Sequence, residues 1–147
     1  MHQSLSHRSF LLRQALVVSG LISVAAIHIL DLRGKMEETP YLGFGYILVI
    51  VASLLIVERI ISGGTQTDFL AAAALCSAVL VGFVINRTVG MPGAKGDIGN
   101  WWEPLGLLSL VVEALVVWHA LRAVQEGVQS GSAQADASAG SAPLISA

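Results

Sequence analysis

The chain has 147 residues, of which 54% are hydrophobic and only 12% are charged. A soluble domain is about 25% charged, so this composition excludes an ordinary soluble globule and indicates a membrane protein. The formal net charge of −2 offers no basic surface to nucleic acid, and the single cysteine, Cys76, excludes an intramolecular disulfide.

Four apolar spans follow one another along the chain, and each has about the 20 residues that a helix needs to cross the hydrocarbon core. They predict an all-α membrane protein with four transmembrane helices, arranged as two hairpins that form a bundle. The predicted parts are an N-terminal segment 1–10, a transmembrane domain 11–126 with spans at about 11–30, 41–57, 69–85 and 104–121, and a tail 127–147. The tail is rich in Ser, Ala and Gly, and it is predicted to be disordered.

The basic residues that flank the spans favour cytoplasmic termini. They are evenly divided between the two sides, but the first helix often sets the orientation. Its N-terminal flank carries Arg8 and Arg13, with no acid before Asp31. We therefore expect both termini to be cytoplasmic, with the two connections 31–40 and 86–103 forming loops on the outer side.

Small residues recur at helical spacing on three spans, and such stripes let membrane helices approach one another. The stripes are Ser19 and Ser23 on the first span, Ala74, Ala78 and Gly82 on the third, and Gly106, Ser109 and Glu113 on the fourth. We expect these stripes to face one another in the bundle.

Glu113 lies about 13 Å below the outer end of the fourth span, near the membrane midplane. An acid at this depth costs at least a few kcal/mol, so it should face the bundle and have a partner, or be protonated. Two interpretations stay open. Glu113 is either part of a proton, cation or ligand site, or a neutral carboxyl bonded to a neighbouring helix.

Four further polar residues gather at the outer ends of the spans. His28 and Asp31 share a face in the last turn of the first helix, Arg87 ends the third helix, and Glu103 precedes the fourth. With Glu113 beneath them, they form a candidate ligand-binding cluster, in which Arg87 pairs with Asp31, Glu103 or Glu113. The alternative is that these charges only mark the helix ends at the membrane interface.

Aromatic residues lie mostly near the span ends and predict an interfacial belt. They are Tyr41, Tyr46, Trp101, Trp102 and Trp118. An alternative for Trp101 and Trp102 is that they line the mouth of a ligand site.

The two histidines within the spans do not predict a haem site. His28 and His119 are separated by roughly 17 Å along the membrane normal, which is too far for one iron. The outer polar residues have no recognised metal-ligand spacing, and no nucleophile–base spacing stands out. The sequence therefore predicts no cofactor, no metal and no catalytic residue, and it favours a protein that is not an enzyme.

Three segments carry a resemblance to a known group of proteins. They are Arg87-Thr-Val-Gly-Met-Pro-Gly, Trp102-Glu-Pro-Leu-Gly-Leu-Leu-Ser-Leu-Val-Val-Glu113, and His28 followed by Glu38-Thr-Pro-Tyr-Leu-Gly. Over about residues 13–122 the chain resembles small, uncharacterised four-span integral membrane proteins of bacteria, notably actinobacteria. The resemblance implies the same topology and a bacterial inner membrane, and it supplies no activity.

Three functional hypotheses fit these observations. The first is a binding or accessory membrane protein, whose outer cavity holds a small ligand, an ion or a partner helix at the candidate cluster. The second is a small proton- or ion-coupled transporter that acts as an oligomer, with Glu113 titrating. The third is a membrane enzyme that uses the outer carboxylates and His28 as acid and base. The expected partners are the lipid bilayer and either further copies of the chain or a larger membrane complex.

Overall fold

The chain folds into four long α-helices. In the computed structural model, the backbone is described for residues 2–140 and the side chains for residues 8–129. The helices are α1 (His2–Glu38), α2 (Pro40–Ile61), α3 (Gln66–Thr88) and α4 (Pro104–Gly140), with one 3-10 turn, Lys95–Asp97, between α3 and α4. No strand occurs between residues 2 and 140. Each of the four helices is long and apolar enough to cross a membrane, which confirms the predicted all-α membrane fold.

The segment predicted as the first outer loop is helical. Helix α1 continues to Glu38, and Thr39 alone separates it from Pro40 at the start of α2. Ion pairs along the helix support this polar extension, for example Arg33 with Glu37 at 3.1 Å. The turn falls at Thr39 because a residue before proline avoids the helical conformation, while proline itself is well suited to the first helical position.

The turn between α2 and α3 is fixed by a capping box. The side chain of Asp68 accepts hydrogen bonds from the backbone N–H of Thr65 (2.8 Å) and from its hydroxyl (2.7 Å). Arg59 at the end of α2 also donates to Asp68, at 2.6 Å. Because one carboxylate both caps α3 and binds the preceding helix, the two helices are joined tightly across a short turn.

Helices α1 and α4 contact each other at the same end of the bundle as this turn, where Gln14 donates to the Ile60 carbonyl at 2.9 Å. Arg13 of α1 and Glu126 of α4 are joined there by an ion pair of 2.6 Å. The described backbone continues α4 as a helix to Gly140, into the segment predicted as a tail. The remainder of that segment, 141–147, lies outside the described residues.

The helices surround one apolar core. Helix α1 packs against α2 and α4, and α3 packs against α4, whereas α2 and α3 are less closely packed. The core lies toward the end of the bundle that carries the α2–α3 turn, and it consists of Val17, Leu21, Val24, Val57, Ile60, Phe69, Ala72, Ala73, Cys76, Val116, Ala120 and Ala123. Helices α1 and α4 are in close contact at Gly20, where an added methyl group would overlap Val116. We call the opposite end, which carries Thr39 and the loop 89–103, the loop end.

The predicted stripes of small residues behave differently on each helix. On α4 the prediction of an inward face is confirmed, because Ser109 and Glu113 are buried. On α1 and α3 the prediction of helix contact was wrong: Ser19, Ala74 and Ala78 are exposed. Small side chains permit close helix packing but do not require it, and Ala78 instead lines a cavity.

Candidate functional site

A cavity of about 390 Å³ lies between the helices, toward the loop end. All four helices contribute to its wall, and the apolar lining residues include Ile27, Leu42, Leu48, Val49, Leu75, Val79, Phe83 and Leu105. Small residues leave the space open, since Gly45 of α2 and both Ala78 and Gly82 of α3 line it. A Cβ atom added to Gly45 would meet nothing within 4 Å.

The cavity reaches the bundle surface along the seam between α2 and α3. Leu48 lines the cavity and is 69% exposed. Gly45 and Ala78, which also line it, are exposed as well. These exposed positions lie within membrane-spanning helices, whose outer surfaces meet acyl chains in a bilayer. The cavity therefore opens toward lipid.

A group of buried and half-buried charged and polar side chains closes the loop end of the cavity. Arg87, only 3% exposed, donates to the Asp97 carboxylate at 2.9 Å and forms an ion pair with Glu103. Lys35 of α1 approaches Asp97 at 3.2 Å, and the Asn86 amide donates to Asp97 at 2.8 Å. This ion-pair network of Lys35, Asn86, Arg87, Asp97 and Glu103 joins α1, α3, the loop and the start of α4.

Asp97 is the centre of the network. Burial alone would raise the pKa of its carboxyl, but hydrogen bonds from Asn86 and Lys35, with the charges of Lys35 and Arg87, lower that pKa below its ordinary value. Asp97 is therefore ionised at neutral pH. Its charge anchors the 3-10 turn to the ends of α1 and α3.

Asp31 belongs to a second, separate group with His28 and Tyr46. The Tyr46 hydroxyl donates to the Asp31 carboxylate at 3.0 Å, and the Tyr46 ring packs edge-to-face on the His28 ring, with centroids 4.7 Å apart. His28 Nδ1 lies 2.9 Å from the Val24 carbonyl and must donate to it, since a carbonyl only accepts. In the neutral imidazole, Nε2 is then left as an acceptor.

Four of the five predicted site residues line this one cavity, namely His28, Asp31, Arg87 and Glu103. Arg87 pairs with Glu103, which is one of the three partners left open by the sequence. Glu113 does not join them. It is fully buried, the Ser109 hydroxyl donates to its Oε1 at 2.6 Å, and Oε2 has no partner among the described residues. Since Ser109 lines the cavity, Glu113 lies one helical turn below the cavity wall.

His28 lies deeper than the sequence predicts. Because α1 continues to Glu38, His28 is about 15 Å from the end of its helix, and not in its last turn. Its side chain is only 4% exposed and forms part of the cavity wall.

Sequence reasoning missed several residues that shape the site. Tyr46 was assigned to the aromatic belt, but its hydroxyl turns inward to Asp31. Lys35 and Asp97 lie in the segments predicted as outer loops, 31–40 and 86–103, and they are 62 residues apart in the chain. No local pattern reveals a pairing over that distance, because only the folded bundle brings α1 beside the loop.

The tryptophans agree better with the belt than with the mouth of a ligand site. Trp102 and Trp118 are 85% and 57% exposed, and no tryptophan is among the lining residues of the cavity. Trp101 packs edge-to-face on Phe83, with ring centroids 6.1 Å apart, and so supports the cavity wall from behind.

The polar groups of the site are suited to hydrogen bonding and charge recognition. Within residues 8–129, no group of three or more His, Cys, Asp or Glu side chains is arranged to hold a metal ion.

No family model, no curated protein and no solved structure matches the chain.

Proposed function

We propose that this integral membrane protein binds a single-chain amphiphile, with the apolar part of the ligand in the cavity and its polar head toward the loop end. One observation carries the proposal. An apolar cavity that opens toward lipid between α2 and α3 ends at polar side chains, which include half-buried Asp31 and buried Arg87. A ligand that satisfies both ends of this space needs an apolar body and a polar head.

The size of the cavity supports a small ligand. Its volume of about 390 Å³ lies near the lower limit of the range of roughly 300–1,000 Å³ that is typical of ligand cavities. This space suits one alkyl chain or a small ring system, rather than a lipid with two long chains.

The state of the lining groups favours binding over catalysis. The Lys35 amine is held by Asp97 and Glu38, both at 3.2 Å. Glu113, the residue on which the transporter hypothesis depends, has no contact with the ion-pair network among the described contacts.

The cellular setting stays a proposal. We place the protein in the inner membrane of a bacterium with both termini cytoplasmic, and the four spans support only that the termini lie on one side. The bilayer is its proposed source of ligand. A homo-oligomer or a larger membrane complex remains a prediction.

Photolabelling tests the binding proposal. The full chain, reconstituted in nanodiscs, is irradiated with a dodecanol that carries a diazirine near its chain end, and the labelled residues are mapped by mass spectrometry. We expect saturable labelling of cavity-lining positions such as Leu75 and Val79 on α3. Non-saturable labelling spread evenly over the lipid-facing positions of all four helices would contradict the proposal.

Gly45→Phe provides a blocked cavity for this experiment. Gly45 lines the cavity and a Cβ atom there meets nothing within 4 Å, so we expect a phenylalanine ring at this position to occupy part of the cavity. Leu55→Phe is the matched control, since Leu55 is 59% exposed on the same helix and does not line the cavity. We expect the first variant to lose the saturable labelling and the second to retain it.

A further inference from the structure

We infer that the bound amphiphile carries a cationic head group, an alkylammonium, which Asp31 recognises. The inference rests on the proposed binding of an amphiphile in the cavity and names the chemical class of its head. It is carried by the charges at the loop end and by the unused acceptors of Asp31 and His28. The Arg87 Nε group is a buried donor that also has no partner among the described residues, but the charge of this guanidinium is balanced by two acids.

The two cations that line the cavity are already neutralised. Arg87 is paired with Asp97 and Glu103, and Lys35 is paired with Asp97 and Glu38. The network itself contains two acids, Asp97 and Glu103, and two bases, so these charges balance. The net negative charge of the cavity wall therefore comes from Asp31, and an anionic head group would be repelled by it.

Asp31 lacks such compensation. No described ion pair includes it, and its one described side-chain hydrogen bond comes from the neutral hydroxyl of Tyr46, to Oδ2. That bond fixes the carboxylate and leaves Oδ1 for a ligand. A carboxylate that lines a largely apolar cavity gains most from a cation, because burial of an unpaired charge is costly.

The remaining free group beside Asp31 also accepts hydrogen bonds. His28 is 4% exposed and lines the cavity, and with Nδ1 bonded to Val24 its Nε2 has no partner among the described residues. An ammonium has three donors and no acceptor, so it matches a wall whose unused groups include the acceptors Asp31 Oδ1 and His28 Nε2. An alcohol has one donor and would leave the Asp31 charge uncompensated.

The aromatic ring of Tyr46 lies beside these acceptors. The Tyr46 ring is held between its hydroxyl bond to Asp31 and its edge-to-face contact with His28. Aromatic faces attract ammonium groups, and the attraction grows where water is excluded. Phe83, the other aromatic ring lining the cavity, already carries Arg87, whose guanidinium carbon is 5.0 Å from the ring centroid.

Competition against the photoreactive dodecanol tests the inference in wild-type nanodiscs at neutral pH. Dodecylamine, dodecanol and dodecanoic acid share a chain and differ in the head. We expect dodecylamine to compete at about tenfold lower concentration than dodecanol, since hydrogen bonds to a charged group are the stronger ones, and dodecanoic acid to be weakest. Butylamine, which is soluble in water, tests whether the ligand comes from the membrane. If butylamine competes as well as dodecylamine, the proposed membrane source of the ligand is wrong.

Substitutions test whether Asp31 causes the preference for dodecylamine over dodecanol. Asp31→Asn should reduce the advantage of dodecylamine over dodecanol about tenfold or more, and Asp31→Glu should restore part of it. Glu37→Gln is the matched control, because it removes the same charge from an exposed position on α1. An unchanged preference in Asp31→Asn, or equal competition by the three dodecyl compounds, overturns the inference. The proposed binding of an amphiphile would still stand in that case if Gly45→Phe abolished the labelling. Failure of the head-group inference can therefore be distinguished from failure of the binding proposal.

Discussion

Arg87 and Asp97 are joined twice. The Nη1 group of Arg87 donates to the Asp97 carboxylate at 2.9 Å and to the Asp97 backbone carbonyl at 3.2 Å. In the opposite direction, the N–H of Gly99 donates to the Arg87 carbonyl at 2.9 Å. The end of α3 therefore binds the following loop through both side chain and backbone, and this loop in turn reaches α1 through Lys35.

Asp97→Asn should destabilise the bundle at the loop end. The amide retains the shape of the carboxyl but loses the charge that compensates Lys35 and Arg87, two side chains with only 9% and 3% exposure. We expect the free energy of unfolding in a mild detergent to fall by about 2 kcal/mol, the value of hydrogen bonds to charged groups. Lys95→Gln, an exposed change in the same 3-10 turn, is the control, and an equal effect of both variants would contradict the assigned role.

The stabilising effect of Asp97 should depend on pH. Its pKa is lower in the folded protein than the ordinary value of 3.8. The stabilisation is therefore fully present above that ordinary value, and it is lost as the pH falls through the lowered pKa of the folded state. The difference in unfolding free energy between wild type and Asp97→Asn should be constant at neutral pH and shrink in acid. A difference that grows in acid would contradict the direction of the pKa shift.

Gly90 is required by the backbone of this loop. Its φ of +82° lies in the left-handed region, and a Cβ atom would approach Cδ1 of Ile98 to 2.8 Å. We expect Gly90→Ala to lower the free energy of unfolding by about 1–2 kcal/mol, the cost of the left-handed conformation for an L-residue. Gly96→Ala is the comparison in the same loop, since a Cβ atom there meets nothing within 4 Å. Equal stability of the two variants would show that the conformation at Gly90 is not a constraint.

Much of the helical scaffold follows from the sequence because hydrocarbon imposes length and polarity on each span. The ends of the helices follow less well. The polar residues after Leu30 resemble a loop by composition, yet they continue α1. Pairs such as Arg33–Glu37 support this extension, but they form only once the segment is helical, so the composition does not reveal it. Proline at position 40, in contrast, marks the true turn in the sequence itself.

Site residues could be predicted where a polar side chain lies at an unusual depth in or beside a span. They could not be predicted where the contact exists only in the folded bundle. His28, Asp31 and Arg87 were found because polar residues in or beside a span are rare. Tyr46 was missed because an aromatic residue near a span end is typical of both a belt and a pocket. Whether it faces lipid or Asp31 depends on the rotation of α2, which packing against α1 decides.

Two substitutions of Glu113 distinguish an acid with a structural role from an acid that titrates during transport. Its side chain is fully buried, with the Ser109 hydroxyl on Oε1 and no described partner on Oε2. Glu113→Gln keeps the acceptor for Ser109 and the side-chain volume, so we expect a change of less than about 1 kcal/mol in the free energy of unfolding. Glu113→Ala leaves a cavity and an unpaired hydroxyl, and should cost about 2–4 kcal/mol.

Measurement of unfolding in detergent for both variants, together with photolabelling of the cavity, decides between the two roles. A structural acid predicts that Glu113→Gln matches wild type in stability and in labelling, because Glu113 lies below the cavity wall and does not line it. The transporter hypothesis instead requires flux through proteoliposomes that Glu113→Gln abolishes. Since Ser109 is the one described partner of this carboxyl, Ser109→Ala should destabilise wild type by about 1–3 kcal/mol. It should cost less in Glu113→Ala, because there the hydroxyl has already lost its acceptor.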